Sequence, residues 1–145
     1  MPQNEIHVRL KLLEGLRFVA ETPSGHALIL DSSISDPQLA PSPTEVLIIA
    51  HAACTAMDVA AILRKMKQPL HGMEVHATAV RAPEHPKRIL KVHLEYVAYG
   101  SVDPSKLERA IQLSIQRYCG VGATLQHGGV EITYSTRIEP LDQVS

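Results

Sequence analysis

The chain has 145 residues, a length that suits one domain. Apolar residues make up 45% and charged residues 20%, with a formal net charge of −1. This balance fits a globular protein, gives no electrostatic case for nucleic acid or an anionic membrane surface, and contains no unbroken apolar run of ~18 residues.

The N-terminal stretch Met1 to His7 lacks a basic region followed by an apolar one, so no secretory signal is expected and the chain is placed in the cytoplasm. Ile6, Val8, Leu10 and Leu12 then alternate with polar residues, the period of a half-buried strand. Leu16, Phe18 and Ala20 repeat the pattern after Glu14-Gly15, and Thr22 to Gly25 is a turn cluster. His26 to Asp31 is a third short strand. The first third therefore reads as an antiparallel meander.

The strongest helix start follows. Ser42 can cap, Pro43 suits the first helical position, and Glu45 completes a capping box. The helix is expected to run to about Lys67, before Pro69. From Val46 to Met57 it is apolar nearly all round, which predicts burial on most sides. Met73 to Arg81 and Arg88 to Tyr99 read as two strands, the second with Leu90, Val92, Leu94, Tyr96 and Ala98 on one face. Asp103-Pro104 opens a second helix that runs to Tyr118 or Cys119, with Gly120 as its C-terminal stop. Val130 to Ile138 is a final strand and the tail is polar. The order βββ-α-ββ-α-β indicates an α+β fold with antiparallel sheet packed on helices, in a single domain over residues 1–145.

Two cysteines, about 65 residues apart, carry the chemical interest. In a reducing compartment such a pair is free, catalytic or redox-cycling more often than a permanent bridge. A cysteine that merely fills core space is the alternative. Cys54 lies three turns inside the first helix, too deep for the helix N-terminus to lower its pKa, so thiolate formation needs a cation or donor from elsewhere. Arg17 and His51 are candidates, and Asp58 opposes it. Cys119 sits near a predicted helix C-terminus, where partial negative charge disfavours a thiolate. Glu45 stands nine residues before Cys54, which on a helix is a half-turn offset of about 180° and a rise of ~13 Å, so capping is its main expected role. His51, Cys54 and Asp58 share a helix face and could be imagined around a metal, but no second histidine or cysteine pair accompanies them, and no metal is expected.

The segment Ser42-Pro-Thr-Glu-Val-Leu with Ala-His-Ala-Ala-Cys54-Thr-Ala-Met-Asp58 resembles the first cysteine motif of the OsmC/Ohr superfamily, the osmotically inducible and organic hydroperoxide resistance proteins. Arg81-Ala-Pro-Glu-His-Pro86 and Tyr118-Cys119-Gly-Val-Gly-Ala-Thr-Leu125 are similar to later parts of the same pattern, so the resemblance extends from about Ile6 to Tyr134. It implies an OsmC-like fold with a long central helix and an intertwined homodimer. It also implies a thiol-dependent peroxidase that reduces organic hydroperoxides in oxidative-stress defence. Cys54 matches the peroxidatic and Cys119 the resolving cysteine, with no bound cofactor and a thiol reductant, a lipoyl protein among the candidates. In the hydroperoxide-resistance branch the catalytic glutamate falls at the position of Thr44. Glu45, one residue later, matches other branches. The branch's turn arginine has no counterpart in Pro23-Ser24-Gly25, which leaves Arg17 as the candidate by location. The other reading is a dimer of this fold that binds a small molecule or a protein without peroxidase chemistry.

Overall fold

The computed structural model describes residues 4–141. Met1 to Gln3, part of the N-terminal stretch read above, and the last four residues of the polar tail lie outside the described residues. The strands are β1 (Arg9–Glu14), β2 (Arg17–Glu21), β3 (Ala27–Leu30), β4 (Gly72–Arg81), β5 (Ile89–Tyr99) and β6 (Glu131–Glu139). The helices are α1 (Pro43–Lys65), α2 (Pro104–Leu113) and α3 (Gly120–His127), with a π-helical turn over Ser114–Tyr118 between the last two. The chain divides into two compact units, Met1–Leu47 and Ile48–Ser145.

The first unit holds the expected meander. Leu10 pairs with Ala20 and Leu12 with Phe18 across β1 and β2, and Phe18 pairs with Leu30 across β2 and β3, all antiparallel. Gly15 turns the chain at φ +58, a left-handed conformation that costs a glycine little. The half-burial that the alternation predicts is not found for β1: every residue of the strand is exposed, Leu10 and Leu12 among them. One three-stranded sheet offers these side chains no second layer within its own unit.

After β3 the chain is organised by Asp31. Its carboxylate accepts from the backbone N–H of Ser32 at 2.7 Å and of Leu39 at 3.0 Å, and from the Ser35 hydroxyl at 2.8 Å. The α1 start then forms the capping box. The Ser42 N–H donates to Glu45 Oε1 at 2.9 Å, and the Glu45 N–H donates to Ser42 Oγ at 3.3 Å.

In the second unit α1 ends at Lys65, two residues earlier than expected. Lys67 takes φ 57, and the N–H groups of Gln68 and Lys67 return to the carbonyls of Leu63 and Arg64, which is a Schellman stop. Lysine at the left-handed position leaves no glycine signal to read. The burial also differs from expectation. His51, Thr55, Val59 and Leu63 form one buried stripe at four-residue spacing, whereas Ile49 and Met57 are exposed. By length and composition alone this helix could cross a membrane.

The second sheet has the order β4-β5-β6. β4 and β5 are antiparallel, but β5 and β6 run parallel, which corrects the expectation of purely antiparallel sheets. The long connection through α2 and α3 returns the chain to the starting end of β5, and only such a crossover can make a parallel pair. Val92, Leu94, Tyr96 and Ala98 face the core as expected. A register shift opposite Arg81 skips Leu90 and turns Ile89 inward instead. The core is completed by Val59, Leu63, Leu107, Ala110 and Ile111. Asp103 caps α2 by accepting from the Ser105 N–H at 2.8 Å.

Candidate functional site

The two cysteines come together in the second unit. Cys54, on α1, is partly exposed, and Cys119 is buried. Their sulfurs and a carboxylate oxygen of Asp58 all lie within 4.8 Å of one another. Cys54 and Asp58 are four residues apart on α1 and so share a face. Cys119 reaches them from between the π-helical turn and α3.

The second helix ends where the sequence reading put it, with Cys119 as the C-cap of the π-helical turn, but the chain does not leave helix there. Gly120 opens α3, and Cys119 is also the N-cap of that helix, with φ −79 and ψ 93. Its Sγ accepts a hydrogen bond from the Gly122 N–H at 3.3 Å. The thiol pKa is nevertheless pushed up to about 11, chiefly by burial, with the neighbouring Cys54 and Asp58 adding to the rise against the opposing Gly122 bond. The expected preference for the neutral thiol therefore holds, with desolvation rather than a helix C-terminus as its main cause. Gly122 also permits the close packing here. A Cβ at this position would lie 3.2 Å from both Cys119 Sγ and His51 Nε2.

His51 is 2% exposed, and its Nδ1 has no hydrogen-bond partner among the described residues. Burial lowers its pKa, so the imidazole is neutral at pH 7. A neutral His51 would support Cys54 as a hydrogen-bond donor rather than as a cation. It lines a small cavity with Thr55, Ile115, Cys119 and Gly122, with room for about one water molecule.

A buried hydroxyl chain backs the thiols, and sequence reasoning missed it. Tyr96, Thr55 and Ser114 are all within 1% of complete burial. Ser114 Oγ donates to Asp58 Oδ2 at 3.0 Å. A hydroxyl has one proton to give, so at the 2.8 Å contact between them Thr55 donates to Ser114. At the 2.7 Å contact with Thr55, Tyr96 must then donate. The order is Tyr96 to Thr55 to Ser114 to Asp58. Burial raises the Tyr96 pKa to about 12, which keeps the phenol protonated as the first donor. Tyr134 packs edge-on against Tyr96 at 6.2 Å and hydrogen-bonds Glu108. The only sequence signal was that Thr55 and Ser114 interrupt apolar helix faces.

The remaining predicted residues belong to the first unit. Arg17, on β2, pairs with Glu14 at 3.4 Å and Asp31 at 3.9 Å. Glu45 is held by its cap bonds and by Gln38 Nε2 at 3.3 Å, and these bonds, led by the Ser42 N–H, lower its pKa.

A sequence model described as OsmC-like protein matches residues 35–135. The chain is 34% identical to protein YhfA of Escherichia coli over 134 residues, which is 92% of this chain and 98% of that protein. Its fold superposes on an OsmC-like protein from Mycoplasma pneumoniae with a TM-score of 0.82 at 14% identity, covering 95% of this chain and 99% of that one. It also superposes on an organic hydroperoxide resistance protein OsmC from Legionella pneumophila with a TM-score of 0.69 at 15% identity, covering 94% and 99%.

Proposed function

The chain belongs to the OsmC-like family, and from that premise we propose that it is a thiol-dependent peroxidase acting on organic hydroperoxides. One observation carries the reading. Two cysteines remote in sequence place their sulfurs within 4.8 Å of each other, so a disulfide can form after a small motion. The description of the Legionella pneumophila relative as an organic hydroperoxide resistance protein supports the choice of substrate.

In this reading the Cys54 thiolate attacks one oxygen of the hydroperoxide and the O–O bond breaks. The leaving alkoxide takes a proton and departs as the alcohol, while Cys54 becomes a sulfenic acid. Cys119 then attacks that sulfur. Its proton passes to a neighbouring acceptor, for which Asp58 is placed, and from there to the departing hydroxyl, so that the sulfenic oxygen leaves as water. The disulfide holds the two oxidising equivalents until a dithiol reduces it, and a lipoyl protein is the proposed reductant. Arg17 is the proposed cation for the Cys54 thiolate, with Glu45 supporting the start of α1. The exposed Leu10 and Leu12 of β1, and Ile49 and Met57 of α1, favour a homodimer that covers them. A reducing cytoplasm is the compartment in which such a pair can cycle.

The test is a peroxidase assay with cumene hydroperoxide and a dihydrolipoyl reductant. Turnover that is lost in Cys54→Ser supports the reading. Absence of turnover in the wild-type protein, with both thiols reduced and the hydroperoxide unconsumed, refutes it.

A further inference from the structure

The dithiol has a carboxylate beside it that disulfide formation does not require. Cys54 Sγ, Asp58 and Cys119 Sγ form a compact set of three ligand atoms within 4.8 Å of one another. Around a tetrahedral zinc ion, bond lengths of about 2.3 Å to sulfur and about 2.0 to 2.2 Å to oxygen would put the two sulfurs roughly 3.8 Å apart and each sulfur roughly 3.5 Å from the oxygen. From a separation of at most 4.8 Å, the two sulfurs therefore need to close by no more than about 1 Å, and each sulfur and the oxygen by no more than about 1.3 Å. Their arrangement suits the task. Cys54 and Asp58 come from one face of a regular helix at four-residue spacing, a common spacing for paired ligands. Cys119 comes from a separate element, at the N-cap of α3.

The outer shell is also present. Ligating carboxylates are usually fixed by hydrogen bonds behind them. Asp58 Oδ2 accepts from buried Ser114, which is held by Thr55, which is held by Tyr96. The sequence face of His51, Cys54 and Asp58 lacked a second cysteine, and the fold supplies Cys119 in that place.

We propose that Cys54, Asp58 and Cys119 bind one thiophilic divalent cation, with zinc as the type, leaving a fourth position to solvent. Binding releases waters from the ion and any proton the sulfurs carry, and forms two metal–sulfur bonds and one metal–oxygen bond to Asp58, with no change of oxidation state. An ion so held would shield both thiols from oxidants and alkylating agents. The binding stands apart from peroxidase activity, since it can be read on a protein that turns over no substrate.

The experiment is a titration of the reduced protein with Co²⁺ under argon, followed by displacement with Zn²⁺. The expected result is one ion per chain, with a thiolate-to-cobalt charge-transfer band in the near ultraviolet and the visible bands of a four-coordinate site. The charge-transfer band should be lost in the Cys54→Ser, Cys119→Ser double variant, and Asp58→Asn should weaken binding at least ~10-fold. A footprint on the wild-type protein needs no variant: one equivalent of Zn²⁺ should slow alkylation of both cysteines at least ~10-fold. Lack of a charge-transfer band together with unprotected thiols overturns the proposal. So does cobalt binding of equal strength in the wild-type protein and the double variant, which would place the ion on surface histidines.

Discussion

Ser114 donates a 3.0 Å hydrogen bond to Asp58 from a position with no exposed surface, and so ties the π-helical turn to the central helix beside both cysteines. Thr55 and Tyr96 stand behind it in a chain whose proton direction is fixed by having one proton per hydroxyl. Ser114→Ala leaves the Thr55 proton without an acceptor and should cost about 1–3 kcal/mol. Tyr96→Phe removes only the first donor and should cost about 1 kcal/mol. Because both act through Thr55, the double variant should lose less than the sum of the two. Urea denaturation of the three variants measures this, and strict additivity would mean that the hydroxyls are not coupled.

The two thiols should differ in reactivity. Burial holds the Cys119 pKa at about 11, so at pH 7.5 only a few in ~10⁴ of its side chains are thiolate. Cys54 is also the more exposed of the two. Limited treatment with iodoacetamide, followed by peptide mass spectrometry, should label Cys54 at least ~10-fold faster. Equal labelling would mean that Cys119 is not shielded as described.

Acid should act on the first unit through Asp31. The bond from the Leu39 N–H, then that from Ser35, holds its pKa below the ordinary 3.8. A carboxylate whose folded pKa is lowered contributes stability that is fully present above the unfolded value, and the contribution is lost as pH falls through the folded pKa. Unfolding measured between pH 2 and pH 7 should show that acid limb. Asp31→Asn should be less stable at pH 7 and should flatten the limb below about pH 4. An unchanged acid limb in the variant would assign it to other carboxylates.

Much of the fold was legible in the sequence because its signals are local. Ser42, Pro43 and Glu45 announce α1, Asp103 and Pro104 announce α2, and the strand alternations locate all six strands to within a few residues. What was not legible depends on contacts distant in the chain. Nothing near Val130 says that β6 will pair parallel with β5. A lysine at a left-handed position hides the end of α1, and Gly120, read as a helix stop, follows the end of one helix and opens the next. Both cysteines were legible through their motifs. Their meeting with Asp58, and the hydroxyl chain behind it, arises only when α1, β5 and the π-helical turn pack together.

Arg17 is the proposed support for the Cys54 thiolate, with an ion pair to buried Asp31 that fixes its side chain. Arg17→Met keeps the stem and removes the charge. The peroxidase rate should fall ~100-fold, about 3 kcal/mol in the barrier, and the Cys54 pKa should rise. Light scattering on the same sample should give twice the 15.9 kDa chain mass, which separates loss of charge from loss of the dimer. An unchanged thiol titration with the dimer intact would remove Arg17 from the site.

The central claim is that Cys54 and Cys119 form one redox pair. Its most direct measurement is the mass of the reduced protein after one equivalent of cumene hydroperoxide, followed by non-reducing peptide mapping. A loss of two protons and a single cross-linked peptide joining Cys54 to Cys119 are expected. A mass that stays unchanged, or a Cys54 oxidised to sulfinic acid with Cys119 still free, would contradict it.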